Sequence, residues 1–393
     1  MEVRNHMKYS MKQVRHTGTR ARVVGGIAAL AASTLVLVGC GGDGGDAGAA
    51  SDSAADSASA LEPDKGSVTI LTWEGYHDQE LLDQYAQESG VEVTQITAGS
   101  VDEMFTKAQS SQGQIDLVYF DLGNVDRYYK AGMLQAMDPS KVPNVANISP
   151  GLPWEPALTV DEQLYGLPYN WGTLPLCWSK EAFPTAPTSW KVLWDPQYAG
   201  KVSIPDDSYL GIPMVALAES INDPYQLDDA GFATVKSGLE SLRPQVKTLS
   251  AGFNDQASLF ASGDAVVGYC QNIAVVNQLN EDGDKFAYGF PEQGTPFWVD
   301  SSMMMTGANR QEVYDFINYT LEVPWQAKFI EATGSAGVIS YDEAATVVPE
   351  DVLAKSEIVN LQDPNFWAAM KPMVAPNRMD ERVALWNEFK AGF

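Results

Sequence analysis

The chain has 393 residues, 45% of them hydrophobic and 19% charged, which is enough for two domains with real cores and excludes a disordered chain. Its 51 acids and 25 basic residues give a formal charge of −26, and so acidic a surface argues against nucleic acid or anionic lipid headgroups as partners. Solubility accounts for most of these charges, so they do not name a ligand.

The chain opens with a targeting pattern. Arg15, Arg20 and Arg22 precede the apolar run 23–39, which is short for a membrane span and suits the hydrophobic core of a signal peptide. The run ends in Leu37-Val38-Gly39-Cys40, which resembles the lipobox of bacterial lipoproteins. That resemblance implies cleavage after residue 39, lipidation of Cys40 and an address on the outer face of the cell membrane, at the cell surface or in the periplasm. An uncleaved signal anchor is the alternative. Residues 40–66 are mostly Gly, Ala, Ser and Asp, with too little apolar bulk to order, and read as a flexible tether.

From residue 67 the pattern alternates strand and helix. The runs 68–73, 91–96 and 115–120 read as strands, and 78–89 and 101–111 as helices between them. Leu81, Leu82 and Tyr85 share one face of the first helix, with Asp78 to cap it and Gly90 to end it. This alternation predicts parallel βαβ units. A second α/β region follows: strand, turn and helix over 200–221, then a helix end, tight turn and strand over 259–272. Trp298 and Asp300 fall on an extended run, 295–307, and helices return at 310–322 and 381–389.

In open parallel sheets, ligands bind outside the carboxyl ends of the strands. Trp73, Glu74 and Tyr76 follow the first strand, Asp121 follows the third, and Asp206 and Asp207 end a strand of the second region. Large aromatics at such positions are also common core residues. Cys177 and Cys270 lie in strand-like runs; an exported compartment permits a disulfide between them, and two buried thiols are the alternative.

Several chemistries find no residues. Of three histidines, His6 and His16 precede Cys40, so the mature chain keeps His77 alone and cannot build a multi-histidine metal site. A nucleophilic triad would have to use that one ring. No phosphate loop or dinucleotide fingerprint is present, no calcium-loop spacing appears, and no metal or cofactor is expected. Lys and Arg do not gather at the strand ends, which argues against an anionic ligand.

Five stretches in order, 73–76 (WEGY), 166–173 (GLPYNWGT), 189–202 (SWKVLWDPQYAGKV), 260–269 (FASGDAVVGY) and 297–301 (FWVDS), resemble the spermidine/putrescine-binding family of bacterial ABC-importer solute-binding proteins. The resemblance runs from about residue 68 to the end of the chain. It implies an α/β, two-lobed periplasmic-binding-protein-like fold of type II, with crossing hinge strands and a ligand cleft between the lobes. It also implies capture of a small organic cation for a membrane permease, with no chemistry on it. The expected lobes are 67–172 with 299–337, and 173–298 with 338–393. Trp73, Tyr76, Trp298, Asp300 and Asp207 match positions of the family's amine pocket. Gly75 stands where an acid is expected, Asp121 and Gly123 where a serine and a tyrosine are, and Gln271 where a tryptophan is. Ser335 and Leu210 lie near a replaced tyrosine and a replaced acid.

The physics of an ammonium agrees, since it needs a carboxylate and an aromatic face, each cation–π contact giving roughly 0.5–2 kcal/mol. Asp300, Asp207, Asp121 and Glu74 with Trp73 and Trp298 can supply both, and Gln271 adds a polar contact. The expectation is a monomeric, lipid-anchored receptor that takes a polyamine by lobe closure. A quaternary ammonium or amino acid derivative as ligand, a secreted carboxylate-based hydrolase and a structural surface lipoprotein are the alternatives.

Overall fold

The computed structural model describes residues 66–99 and 101–393. The signal segment 1–39, Cys40 and all but the last residue of the tether lie outside the described residues. In chain order the strands are β1 (Ser67–Trp73), β2 (Glu92–Ala98), β3 (Leu117–Asp121), β4 (Thr159–Val160), β5 (Gln163–Leu164), β6 (Gly166–Thr173) and β7 (Leu176–Ser179). There follow β8 (Val202–Pro205), β9 (Val246–Ser250), β10 (Val267–Tyr269), β11 (Phe286–Gly289), β12 (Thr295–Met304), β13 (Ala336–Gly337) and β14 (Met370–Pro372).

They form two sheets and a small β4–β5 hairpin. The larger sheet runs β13-β6-β12-β3-β1-β2, with β14 joined to β12, and the smaller runs β11-β7-β10-β8-β9. β1 pairs in parallel with β2 and β3, as β8 does with β9 and β10. Parallel neighbours need crossovers, and helices supply them. The first, Gln79–Ser89, starts on Asp78, whose carboxylate accepts from the Glu80 N–H at 2.7 Å, and ends on Gly90 at φ 76°. It buries Leu82 and Tyr85 against β1 and β2, as its spacing requires.

The chain passes between the sheets three times: from β6 to β7, from β11 to β12, and from β14 to the helix Met379–Lys390. Each sheet has its own apolar core, one holding Ile70, Val118 and Phe297, the other Ile204, Val215 and Trp386. This is the two-lobed type II arrangement. Core membership departs from the sequence reading in two segments. Residues 295–298, assigned there to the second lobe, open β12 in the larger sheet, with Phe297 in the first core. Residues 338–370, assigned there to the second lobe, contribute Val338, Ile339, Leu353, Ile358, Phe366 and Met370 to the first core. The cause is pairing, because β13 bonds to β6 and β14 to β12, which pins both ends of that segment to the larger sheet.

Cys177 on β7 and Cys270 just past β10 are disulfide-bonded, 93 residues apart, with Cα atoms at 6.0 Å. The bond ties strands already paired by backbone hydrogen bonds, Gly268 lying opposite Cys177. Serine at both positions is expected to cost about 2–5 kcal/mol through lost loop restriction. A melting curve with and without reductant checks this; equal curves would mean that the thiols are unbonded in solution.

Candidate functional site

The strands bring one set of side chains to a common level. β1 ends at Trp73, and a tight turn follows in which the Tyr76 N–H bonds the Trp73 carbonyl at 3.3 Å. Gly75 takes φ 84° there, a conformation that a side chain would strain. The turn aims Tyr76 back over the sheet, where its hydroxyl donates to Asp300 Oδ2 at 2.5 Å. Asp300 lies mid-way along β12, directly opposite Asp121 at the end of β3 on one side and Asn170 of β6 on the other. Opposed residues in antiparallel strands point to the same face, so both aspartates and Asn170 form a row. A β-bulge in the β12–β6 pairing falls between Asp300 and Ser301, next to this row.

Trp298 comes up two residues earlier on the same strand and lies over Gly172 of β6. A Cβ at Gly172 would strike the Trp298 ring, so the glycine is what lets the indole lie flat across the hinge. Trp298 packs with the second core while Asp300 is fixed in the first sheet. From the second lobe, Tyr209, Leu210, Gln271 and Asn272 close the opposite side. The result is a cleft of about 570 Å³ lined by Trp73, Glu74, Tyr76, Asp121, Gln271, Trp298 and Asp300 among others. No lysine, arginine or histidine is among the described residues that line it.

The acids differ in their surroundings. Asp121 caps its own turn, accepting from the Gly123 N–H at 2.8 Å and the Asn124 side chain at 2.7 Å, and burial still raises its pKa. Asp300 is 5% exposed. Burial, and then the charge of Asp121, push its carboxyl up to about 7, against the Tyr76 hydrogen bond. The Trp73 indole N–H meets no acceptor at bonding distance, yet lies near enough to favour the Asp300 carboxylate. Glu74 is exposed at the rim.

Asp207 does not join this group. It caps the helix Ser208–Ala218, accepting from the Tyr209 N–H at 2.7 Å, and faces an adjoining cavity. The sequence pattern places an acid at that strand end correctly, but a helix start draws its carboxylate to the backbone. His77 is 3% exposed and stacked on Tyr169 at 5.0 Å, and desolvation drives its pKa down to about 3, so it is a neutral core ring and not a base. Trp171 is buried against Phe366 and Trp367.

Sequence reasoning passed over Tyr209, Phe253, Asn272 and Gly172. The first three follow β8, β9 and β10, so the strand-end rule already contained them; Phe253 stays 48% exposed at the cleft. Gly172 carried no signal, because its role is the absence of a side chain opposite Trp298.

A profile of the family described as "Bacterial extracellular solute-binding protein" matches residues 80–355. The chain belongs to the bacterial extracellular solute-binding proteins. This solute-binding protein is 27% identical over 286 residues to the spermidine/putrescine-binding periplasmic protein of Escherichia coli (strain K12), covering 70% of this chain and 78% of that one. It is 28% identical over 305 residues to spermidine/putrescine-binding periplasmic protein 1 of Haemophilus influenzae, covering 77% and 82%. Its fold matches the spermidine/putrescine ABC transporter substrate-binding protein PotD from Streptococcus pneumoniae with a TM-score of 0.71, at 20% identity over 83% of this chain and 98% of that one. Proteins of this family are transport components, and their place is outside the cytoplasmic membrane.

The raised Asp300 carries a sign. Between about pH 4 and pH 7 the folded protein holds a proton there that the unfolded chain has released, so this group lowers stability as pH rises through that window. Asp300→Asn, without added amine, is expected to stabilise the protein by about 2–4 kcal/mol at pH 8 and by little at pH 5. Melting curves at the two pH values test it, and an equal shift at both would contradict the assignment.

Proposed function

We propose that this solute-binding protein captures a polyamine in the cleft between its lobes and delivers it to an ABC permease. One observation carries the reading: Asp121 and Asp300 stand side by side in a largely buried row, walled by Trp73, Tyr76 and Trp298, with no cation among the described lining residues. A diamine supplies what the row lacks. Its ammonium groups meet the carboxylates, and its methylenes lie on the indoles. The polyamine-binding names of the relatives support this choice of ligand. Binding without turnover is the reading that the transport role of the family supports.

The lining of the cleft supports closure as the source of affinity. Trp73, Tyr76, Asp121 and Asp300 line it from the larger sheet and Tyr209, Leu210 and Gln271 from the second lobe, so a ligand touching both sets is held only when the lobes approach. The closed pair then offers one surface to the permease. We further assign Cys40 as the lipidated anchor, on the lipobox-like Leu37-Val38-Gly39-Cys40.

Calorimetric titration of the purified full chain with putrescine, cadaverine, spermidine, spermine, choline and γ-aminobutyrate is the direct test. A saturable one-to-one isotherm for a polyamine is expected; silence toward all polyamines rejects the reading. Asp300→Asn should weaken binding by about 2–5 kcal/mol, the cost of breaking a buried charge pair. Binding should also release a proton near pH 7, because the amine selects the carboxylate of a group that titrates there; titrations in two buffers of different ionisation enthalpy read this. Gly172→Ala, which displaces Trp298, is expected to weaken binding by roughly 1–2 kcal/mol with the fold intact by circular dichroism. For the anchor, labelling of growing cells with a fatty-acid analogue should mark the unaltered protein and not Cys40→Ser.

A further inference from the structure

Asp121 and Tyr209 line two cavities. One is the cleft already described. The other, about 540 Å³, lies against the same two residues and is bounded by Asp102, Asp126, Arg127 and Asp207. Two of its acids are already neutralised, Asp102 by Arg127 at 2.8 Å and Asp126 by Lys130 at 2.7 Å. Asp207 makes no ion pair among the described residues; it is exposed to solvent, and its carboxylate takes the Tyr209 N–H. The two chambers together therefore carry a line of carboxylates that make no ion pair among the described residues, Asp300, Asp121 and Asp207, interrupted by one phenol; the Arg127 that bounds the second chamber is held by Asp102.

That phenol is held in place from both lobes. The Tyr209 hydroxyl reaches Asp121 Oδ1 at 3.3 Å and the Val374 carbonyl at 3.4 Å, and its ring is flanked by Tyr225 at 6.2 Å. Its position also depends on Gly123, since a Cβ there would run into the hydroxyl. A glycine after β3 thus gives up cleft wall on the first lobe, and a tyrosine from the second lobe fills the space.

We propose that Tyr209 is the residue that sets ligand length, a reading that rests on the polyamine function above. With the phenol in place, the buried part of the cleft offers two uncompensated carboxylates on opposed residues, whose Cβ atoms lie about 5 Å apart in such pairs, and this suits a diamine, while Glu74 stands exposed at the rim. The third ammonium of a longer polyamine meets the Tyr209 ring before it can reach Asp207. Removing the ring joins the chambers and gives that ammonium a carboxylate.

The test is calorimetry on the full chain with putrescine, spermidine and spermine. The unaltered protein is expected to prefer putrescine. Tyr209→Ala should shift the spermidine-to-putrescine affinity ratio toward spermidine by about threefold to fivefold, the worth of one added screened charge pair. Adding Asp207→Asn to Tyr209→Ala should remove that gain. A melting curve establishes that the variant folds, and Tyr209→Leu carries the same comparison if it does not. Amine binding with an unchanged ratio in the folded variant overturns the inference alone, as does a gain that survives Asp207→Asn. Silence of the unaltered protein toward every amine overturns the polyamine reading and this inference with it.

Discussion

Two aspartates face each other across β3 and β12 inside the protein, and the described residues that line the cleft around them bring no positive charge. Like charges in a poorly hydrated place are costly, and the raised carboxyls of Asp121 and Asp300 express that cost. The same fold buries acids differently where it needs only stability. Asp116 and Glu312 are as buried, and Arg310 reaches them at 2.7 Å and 2.6 Å. Glu357 is also buried near the hinge, and burial pushes its carboxyl up to about 7 as well, but Thr173 gives it both a backbone N–H and a hydroxyl at 3.0 Å and it does not line the cleft. Against these, the row at Asp300 stands out as a charge left for something else to complete.

β12 joins that charge to the movement of the lobes. It enters the larger sheet from β11 of the smaller one, and within three residues it places Trp298 with the second core and Asp300 in the first sheet. β6 runs beside it and contributes Gly172 beneath the indole, Asn170 beside the carboxylate and Thr173 to Glu357. The crossing strands are therefore hinge and binding wall at once, and a ligand in the cleft rests on the segment that joins the lobes.

Much of the site was legible because of one geometric rule. Parallel strands end on the same edge, so Trp73, Glu74, Tyr76 and Asp121 could be placed together from the alternation of strand and helix. The reading of Trp298 and Asp300 needed the family resemblance, since β12 runs antiparallel and its middle, not its end, meets the cleft. Asp207 shows the limit of the rule: an acid at the right edge was claimed by the helix that starts there. Tyr209, two residues on, crosses to the other lobe instead. Nothing in the local pattern distinguishes these fates, because both residues sit at one helix start.

The sequence by itself determined the secondary structure, the α/β class, the exclusion of histidine-based chemistry and the acidic, aromatic character of the strand ends. These follow from periodicity and residue type, which act locally. Tertiary structure decided which acids lie next to one another, which keep no cation, which core receives residues 338–370, and where glycine at 123 and 172 leaves room for a ring from elsewhere. Those depend on strand register and on contacts between residues far apart in the chain. A desolvated charge exists only where the fold has removed the water.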